Sequence, residues 1–115
     1  MHKIFDQDIF LALYNEIDDR SVILKLAYSF LDDVERRKNT VTNAIKELDY
    51  DTVELEVHTL ASSAATYGAT CLEKLCRQIE YHKDVGSPEY LLCIKKLDQL
   101  SESTVSSMKA FLDKL

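Results

Sequence analysis

Almost nothing in this chain stops a helix. Its 115 residues include only two glycines, Gly68 and Gly86, and one proline, Pro88. A β-sandwich or barrel needs frequent turns built on such breakers, so an all-β architecture is excluded. Between the breaks, apolar residues recur at steps of three and four, the period of a helix with one buried face. With 46% apolar and 30% charged residues, the chain has the balance of a folded protein and not of a disordered one. A chain of this length can bury roughly two thirds of its unfolded surface, which is enough for a single domain spanning residues 1–115.

The periodicity predicts five helices. The first covers residues 7–18, with Asp6 as N-cap, Phe5 and Phe10 placed to staple its entry, and Ile9, Phe10, Leu13 and Ile17 as its apolar stripe. The second follows Ser21 as N-cap and reaches Leu48. Its stripe is Ile23, Leu26, Phe30, Val34, Val41, Ile45 and Leu48, interrupted at Arg37; about 27 residues make a rod of roughly 40 Å. The third begins after Asp51, which has capping-box spacing to Glu54, with Tyr50 and Leu55 as the staple. It ends at Tyr67, because Gly68 suits the left-handed position past a helix end, and it buries Val53, Val57, Leu60, Ala64 and Tyr67. The fourth covers residues 69–83 with Leu72, Leu75, Cys76 and Ile79 inward. The fifth opens with Ser87 as N-cap and Pro88 at the first helical position, and carries Leu97, Leu100, Thr104, Met108, Phe111 and Leu115. Long amphipathic helices joined by short loops predict an all-α, antiparallel up-and-down four-helix bundle, with the additional short N-terminal helix across one end.

A formal charge of −6 argues against nucleic-acid binding and against docking on anionic membranes. No apolar run approaches the ~18 residues that span a bilayer. Residues Met1 to Asp6 lack the build of an export signal, and the odd set Cys71, Cys76 and Cys93 lacks a disulfide framework; together these point to a reduced, cytoplasmic setting. His2, His58 and His82 with the cysteines are potential metal ligands, but their spacing matches no metal motif. Cys76 reads as core and Cys93 as core or boundary.

His58 lies to one side of the third helix's stripe, with Glu54, Ala61, Ser62 and Ala65. A neutral imidazole nitrogen can attack an acyl phosphate and hold the phosphoryl group as a phosphoramidate, provided there is open space in line with the nitrogen. The small side chains of Ala61, Ser62 and Ala65 would leave that space, and the Ser62 hydroxyl could donate to a phosphoryl oxygen. An exposed imidazole of this kind serves a group passed between proteins rather than chemistry inside a pocket.

The run from His58 to Glu80 resembles the histidine-containing phosphotransfer (HPt) domains of bacterial phosphorelays. His58, Leu60, Ser63, Gly68, Ala69, Leu72, Leu75, Cys76 and Glu80 fall at matching places, and Ser62-Ser63-Ala64-Ala65 is most similar to the small stand-alone members of quorum-sensing relays. The resemblance implies a bundle bearing a phosphorylatable His58. It implies receiver domains of a hybrid sensor kinase and of a response regulator as donor and acceptor. It also implies no cofactor of its own, the required Mg²⁺ belonging to the receiver. No nucleotide-dependent kinase activity is expected, since no Gly-rich phosphate loop is present.

The sequence departs from the family at Ala61, where lysine is usual, and at Ser62, where glycine is frequent. Arg77 or Lys74 on the fourth helix would then supply the missing cation, or transfer would be weakened. Many members carry glutamine at the place of Glu80, hydrogen-bonded near the histidine. A carboxylate there could fix the imidazole tautomer, repel the phosphoryl group, or be a solvated charge. Partner docking is expected on exposed parts of the first three helices, with Phe10, Leu13 and Glu54 contributing. Asp32, Asp33 and Glu35 are expected on a solvated face, and the basic run Arg36, Arg37 and Lys38 either forms a charged face or meets an acidic receiver surface. The expectation is a monomeric shuttle; the alternative is a helical adaptor that binds a receiver or other partner without carrying phosphate.

Overall fold

The structure is a computed structural model that describes residues 3–115; Met1 and His2, part of the reading of the N-terminus and of the possible ligand set, lie outside the described residues. Five helices follow one another: α1 (Gln7–Ile17), α2 (Arg20–Lys46), α3 (Tyr50–Tyr67), α4 (Thr70–Glu80) and α5 (Pro88–Leu112). Helix α3 packs between α2 and α4, and α5 closes the ring against α2 and α4. This is the expected four-helix bundle. Helix α1 lies against α2 and α3 at the end where α3 turns into α4. The long dimension, 44 Å, is close to the length of α2. Among the described residues no helix is long and apolar enough to cross a membrane.

The caps show how local chemistry sets the boundaries. Asp6 caps α1 by accepting from the Asp8 amide, and the Phe5 and Phe10 rings meet edge-on at 6.0 Å as the staple requires. Ser87 caps α5 ahead of Pro88, as expected. Two caps differ from expectation. Asp19, not Ser21, caps α2 through the Val22 amide, and Asp49, not Asp51, caps α3 through Thr52. In each case an aspartate two residues earlier takes the orphan amide, so the helix starts sooner. Helix α2 stops at Lys46, two residues short of Leu48, which sits in a left-handed turn and is mostly exposed. Leu55 also faces water, so the Tyr50–Leu55 staple does not form; Tyr50 instead packs edge-on against Tyr90. Helix α4 ends at Glu80, three residues early, as the chain turns toward α5 through Gly86 in the left-handed conformation.

The core follows the stripes with instructive exceptions. Phe10 is completely buried among Phe5, Tyr14 and Phe111, so it cannot serve as a docking residue. Ile9 and Leu26, assigned to stripes, are exposed. Both sit at stripe edges, where the neighbouring helix decides which flank is covered. Arg37, which interrupts the α2 stripe, bridges Asp33 at 2.9 Å and Glu56 of α3 at 2.7 Å. Arg36 also pairs with Asp33, and Lys38 pairs with Asp98 of α5 at 3.3 Å and with Glu35 at 3.6 Å. Arg37 and Lys38 therefore tie α2 to its neighbours, whereas Arg36 is mostly exposed and pairs only within α2. For the same reason Asp33 and Glu35 are not merely a solvated face. Partial burial pushes the Asp33 carboxyl up, but hydrogen bonds from Arg37 and Arg36 overcome this and hold it below its ordinary value.

Gly68 is required twice over. Its φ is +86°, and a Cβ there would lie 2.5 Å from the Asp6 carbonyl oxygen. The same contact carries a hydrogen bond from the Asp6 amide to the Gly68 carbonyl at 2.7 Å. Gly68→Ala should lower stability by about 1–2 kcal/mol from the left-handed backbone alone, and by more from the collision, as read by urea unfolding. Acid supplies a second check. A carboxyl with a depressed folded-state pKa stabilises above its unfolded pKa of about 3.9 and loses that contribution as pH falls through the lower folded value. The stability deficit of Asp33→Asn against wild type should thus be largest near neutral pH and shrink below about pH 4.

Candidate functional site

His58 sits in the middle of α3, and Glu80 is the last residue of α4. The antiparallel packing of these helices brings them together. The His58 side chain is 56% exposed, whereas that of Glu80 is 7% exposed. His58 Nδ1 lies 2.5 Å from Glu80 Oε2. An ionised carboxylate only accepts, so Nδ1–H donates and Nε2 keeps its lone pair. Among the described residues Nε2 has no hydrogen-bond partner. The other carboxylate oxygen, Oε1, accepts from Arg77 Nη1 at 3.2 Å, one turn back on α4. The reading of Glu80 as a solvated charge is therefore corrected. It is a nearly buried acceptor shared by an imidazole and a guanidinium.

The open space beside the ring is a hollow of about 410 Å³ lined by Asp51, Glu54, Leu55, His58 and Glu80. Sequence reasoning placed the space over Ala61, Ser62 and Ala65. Ala61 is instead wholly buried, packed with Val57, Leu60 and Ala64, and Ala65 is half-buried. Helical side chains tilt toward the N-terminus of their helix, so His58 overlies the turn that precedes it rather than the one that follows. Ser62 is exposed, and its hydroxyl donates to the His58 carbonyl at 3.4 Å. Glu54 is exposed at the rim of the hollow. Lys74 is exposed on α4 and makes no ion pair among the described residues.

Ile9 and Leu11 of α1, Leu26 of α2, Leu55 of α3 and Tyr81 just past α4 are among the exposed large apolar residues. Leu13 is half-buried against the core. Leu26 and Phe30 also line a shallow groove with Ser63 and Tyr67 on the α2 side of α3. Leu55 was legible as an off-stripe residue one turn before His58. Tyr81 was missed because α4 was taken to run on past it. Cys76 and Cys93 are core residues; burial pushes the Cys76 thiol up to about 12, which keeps it unreactive. Among the described residues, no three His, Cys, Asp or Glu side chains converge as a metal site.

A family model described as Hpt domain matches residues 25–103. The fold is similar to the crystal structure of histidine-containing phosphotransfer protein B (HptB) from Pseudomonas aeruginosa PAO1. The TM-score is 0.86 at 16% sequence identity, with 100% of this chain and 99% of that one covered. At that identity the likeness is one of fold. No curated protein matches the chain.

The Glu80 contact makes a spectroscopic prediction. Nitrogen NMR of the neutral His58 ring should show the proton on Nδ1 in wild type, and Glu80→Ala should move most of it to Nε2, the usual preference of a free imidazole.

Proposed function

Because this chain belongs to the Hpt domain family of phosphorelay phosphotransfer proteins, we propose that His58 is its phosphoryl-carrying residue, loaded by the phosphoaspartate of one receiver domain and unloaded by another. The observation that carries this reading is the mostly exposed His58 side chain, whose Nδ1 is held by Glu80 while Nε2 has no partner among the described residues. In the forward step the Nε2 lone pair attacks the phosphorus of the acyl phosphate. The P–O bond breaks, and its electron pair leaves with the donor's aspartate. The ring becomes cationic, and its Nδ1 proton stays hydrogen-bonded to Glu80, so the charge that appears on the ring faces a carboxylate. The reverse step, with a second receiver aspartate as nucleophile, returns the ring to neutrality.

In this reading Glu80 is a positioning residue. It acts through the imidazole and touches no transferred atom. Ser62 has its hydroxyl satisfied within α3, and a phosphoryl oxygen could compete for it. Leu55 lines the hollow with His58, and Ile9, Leu11 and Leu26 expose further apolar surface on α1 and α2, which a transient partner could use in docking. The donor is proposed to be the receiver of a hybrid sensor kinase and the acceptor that of a response regulator, with Mg²⁺ held by the receiver. The relay is proposed to act in the cytoplasm with this protein as a monomer.

The decisive experiment is incubation with a phosphorylated receiver domain. Wild type should acquire acid-labile, alkali-stable label, and His58→Gln should acquire none while still folding, since the ring is largely exposed. Binding of the receiver by wild type without label would instead select the adaptor reading.

A further inference from the structure

Resting on the assignment of His58 as carrier, we infer that Asp51 and Glu54 of α3 bias this protein toward unloading. Their charges raise the free energy of the phosphorylated carrier, so the phosphoryl group is passed on rather than stored. Both residues line the hollow that His58 and Glu80 also line, and no lysine or arginine lines it. Glu54 lies four residues before His58 and Asp51 seven, so both stand on the histidine's face of the helix, one and two turns back. Both are exposed, and neither side chain makes a salt bridge or a hydrogen bond among the described residues. The other charged groups around the ring are already matched. Glu80 accepts from His58 Nδ1 and from Arg77 of α4, and Glu56, the third acid of this stretch of α3, is bound to Arg37 of α2.

A phosphoryl group is nearly dianionic at neutral pH, whereas the neutral imidazole of the empty carrier presents no net charge. Asp51 and Glu54 therefore act on one side of the exchange only. When phosphorus moves from a donor to Nε2, negative charge appears beside them, and the equilibrium shifts back toward the partner. Side chains four apart on a helix have Cβ atoms about 5–6 Å apart. That is inside the Debye length of about 8 Å at physiological salt, so the charge of Glu54 is felt at the ring without any contact. Both carboxylates face water, so each is worth a small factor, and the factor is screened by salt. Glu80 has a different part: its charge faces the Nδ1 side of the ring, where loading brings a proton-bearing, cationic imidazole.

The test uses the full chain and phosphoramidate, a small donor whose P–N bond breaks as the bond to Nε2 forms, releasing ammonia. Phosphorus NMR reads the loaded fraction in a fixed mixture of phosphoramidate and ammonium at low salt, and the pH midpoint at which the phosphohistidine takes up its proton. Negative neighbours raise that midpoint. Asp51→Asn and Glu54→Gln should each lower it by about 0.4 pH units and raise the ratio of loaded to empty carrier about threefold; the double variant should raise the ratio about tenfold. Added salt should bring the wild-type midpoint toward that of the double variant and move the double variant less. Glu102→Gln, which removes the same charge from an exposed place on α5, should match wild type. A double variant indistinguishable from wild type overturns the inference, and so does a Glu102→Gln midpoint displaced as far as that of Glu54→Gln, which would make overall charge the agent. If wild type loads no phosphorus, the carrier assignment has failed and the inference falls with it. If wild type loads and its titration ignores Asp51 and Glu54, only the present inference falls.

Discussion

The close antiparallel pairing of α3 with α4, set by the turn at Gly68, is the constraint on which the rest of this structure depends. A left-handed residue there lets α3 end and α4 begin with only Gly68 and Ala69 between them. The absent Cβ lets the chain before α1 approach within hydrogen-bonding range, with the Cys71 amide also bonded to the Lys3 carbonyl at 3.1 Å. Three helices thus meet at one glycine. The register that follows puts the end of α4 against the middle of α3, and this is what brings Glu80 to His58.

The electrostatics of the pair explain its form. A carboxylate as covered as that of Glu80 is costly to desolvate, and such a pair is weak ground for stability. What the pair provides is orientation: one ring nitrogen is occupied and the other is left for a partner. The bundle meanwhile uses Arg37 and Lys38, from its compact basic run, to tie α2 to α3 and α5. That leaves the surroundings of His58 acidic.

Much of this was legible in the chain. Helix number, the α1 and α5 caps, the Gly68 terminus and the inward faces of α4 and α5 all rest on interactions within a few residues, and the apolar period reports them directly. The errors fall where two local signals compete or where a position sits at the edge of a stripe. Asp19 and Asp49 cap their helices two residues ahead of Ser21 and Asp51, by accepting from the Val22 and Thr52 amides. Phe10, Ala61, Ile9 and Leu26 are edge positions, whose burial depends on which neighbour lies across from them.

The sequence by itself determined that the chain is a bundle of amphipathic helices and that His58 projects from one flank, because a 3.6-residue period and a handful of breakers are properties of the chain alone. Only the tertiary structure decided that Glu80 is the acceptor for Nδ1, that Arg77 shares that carboxylate, and that the open hollow lies toward Glu54 rather than over Ala61. These depend on the register between two helices and on the tilt of side chains along them, and residues 22 positions apart meet only when the helices pack.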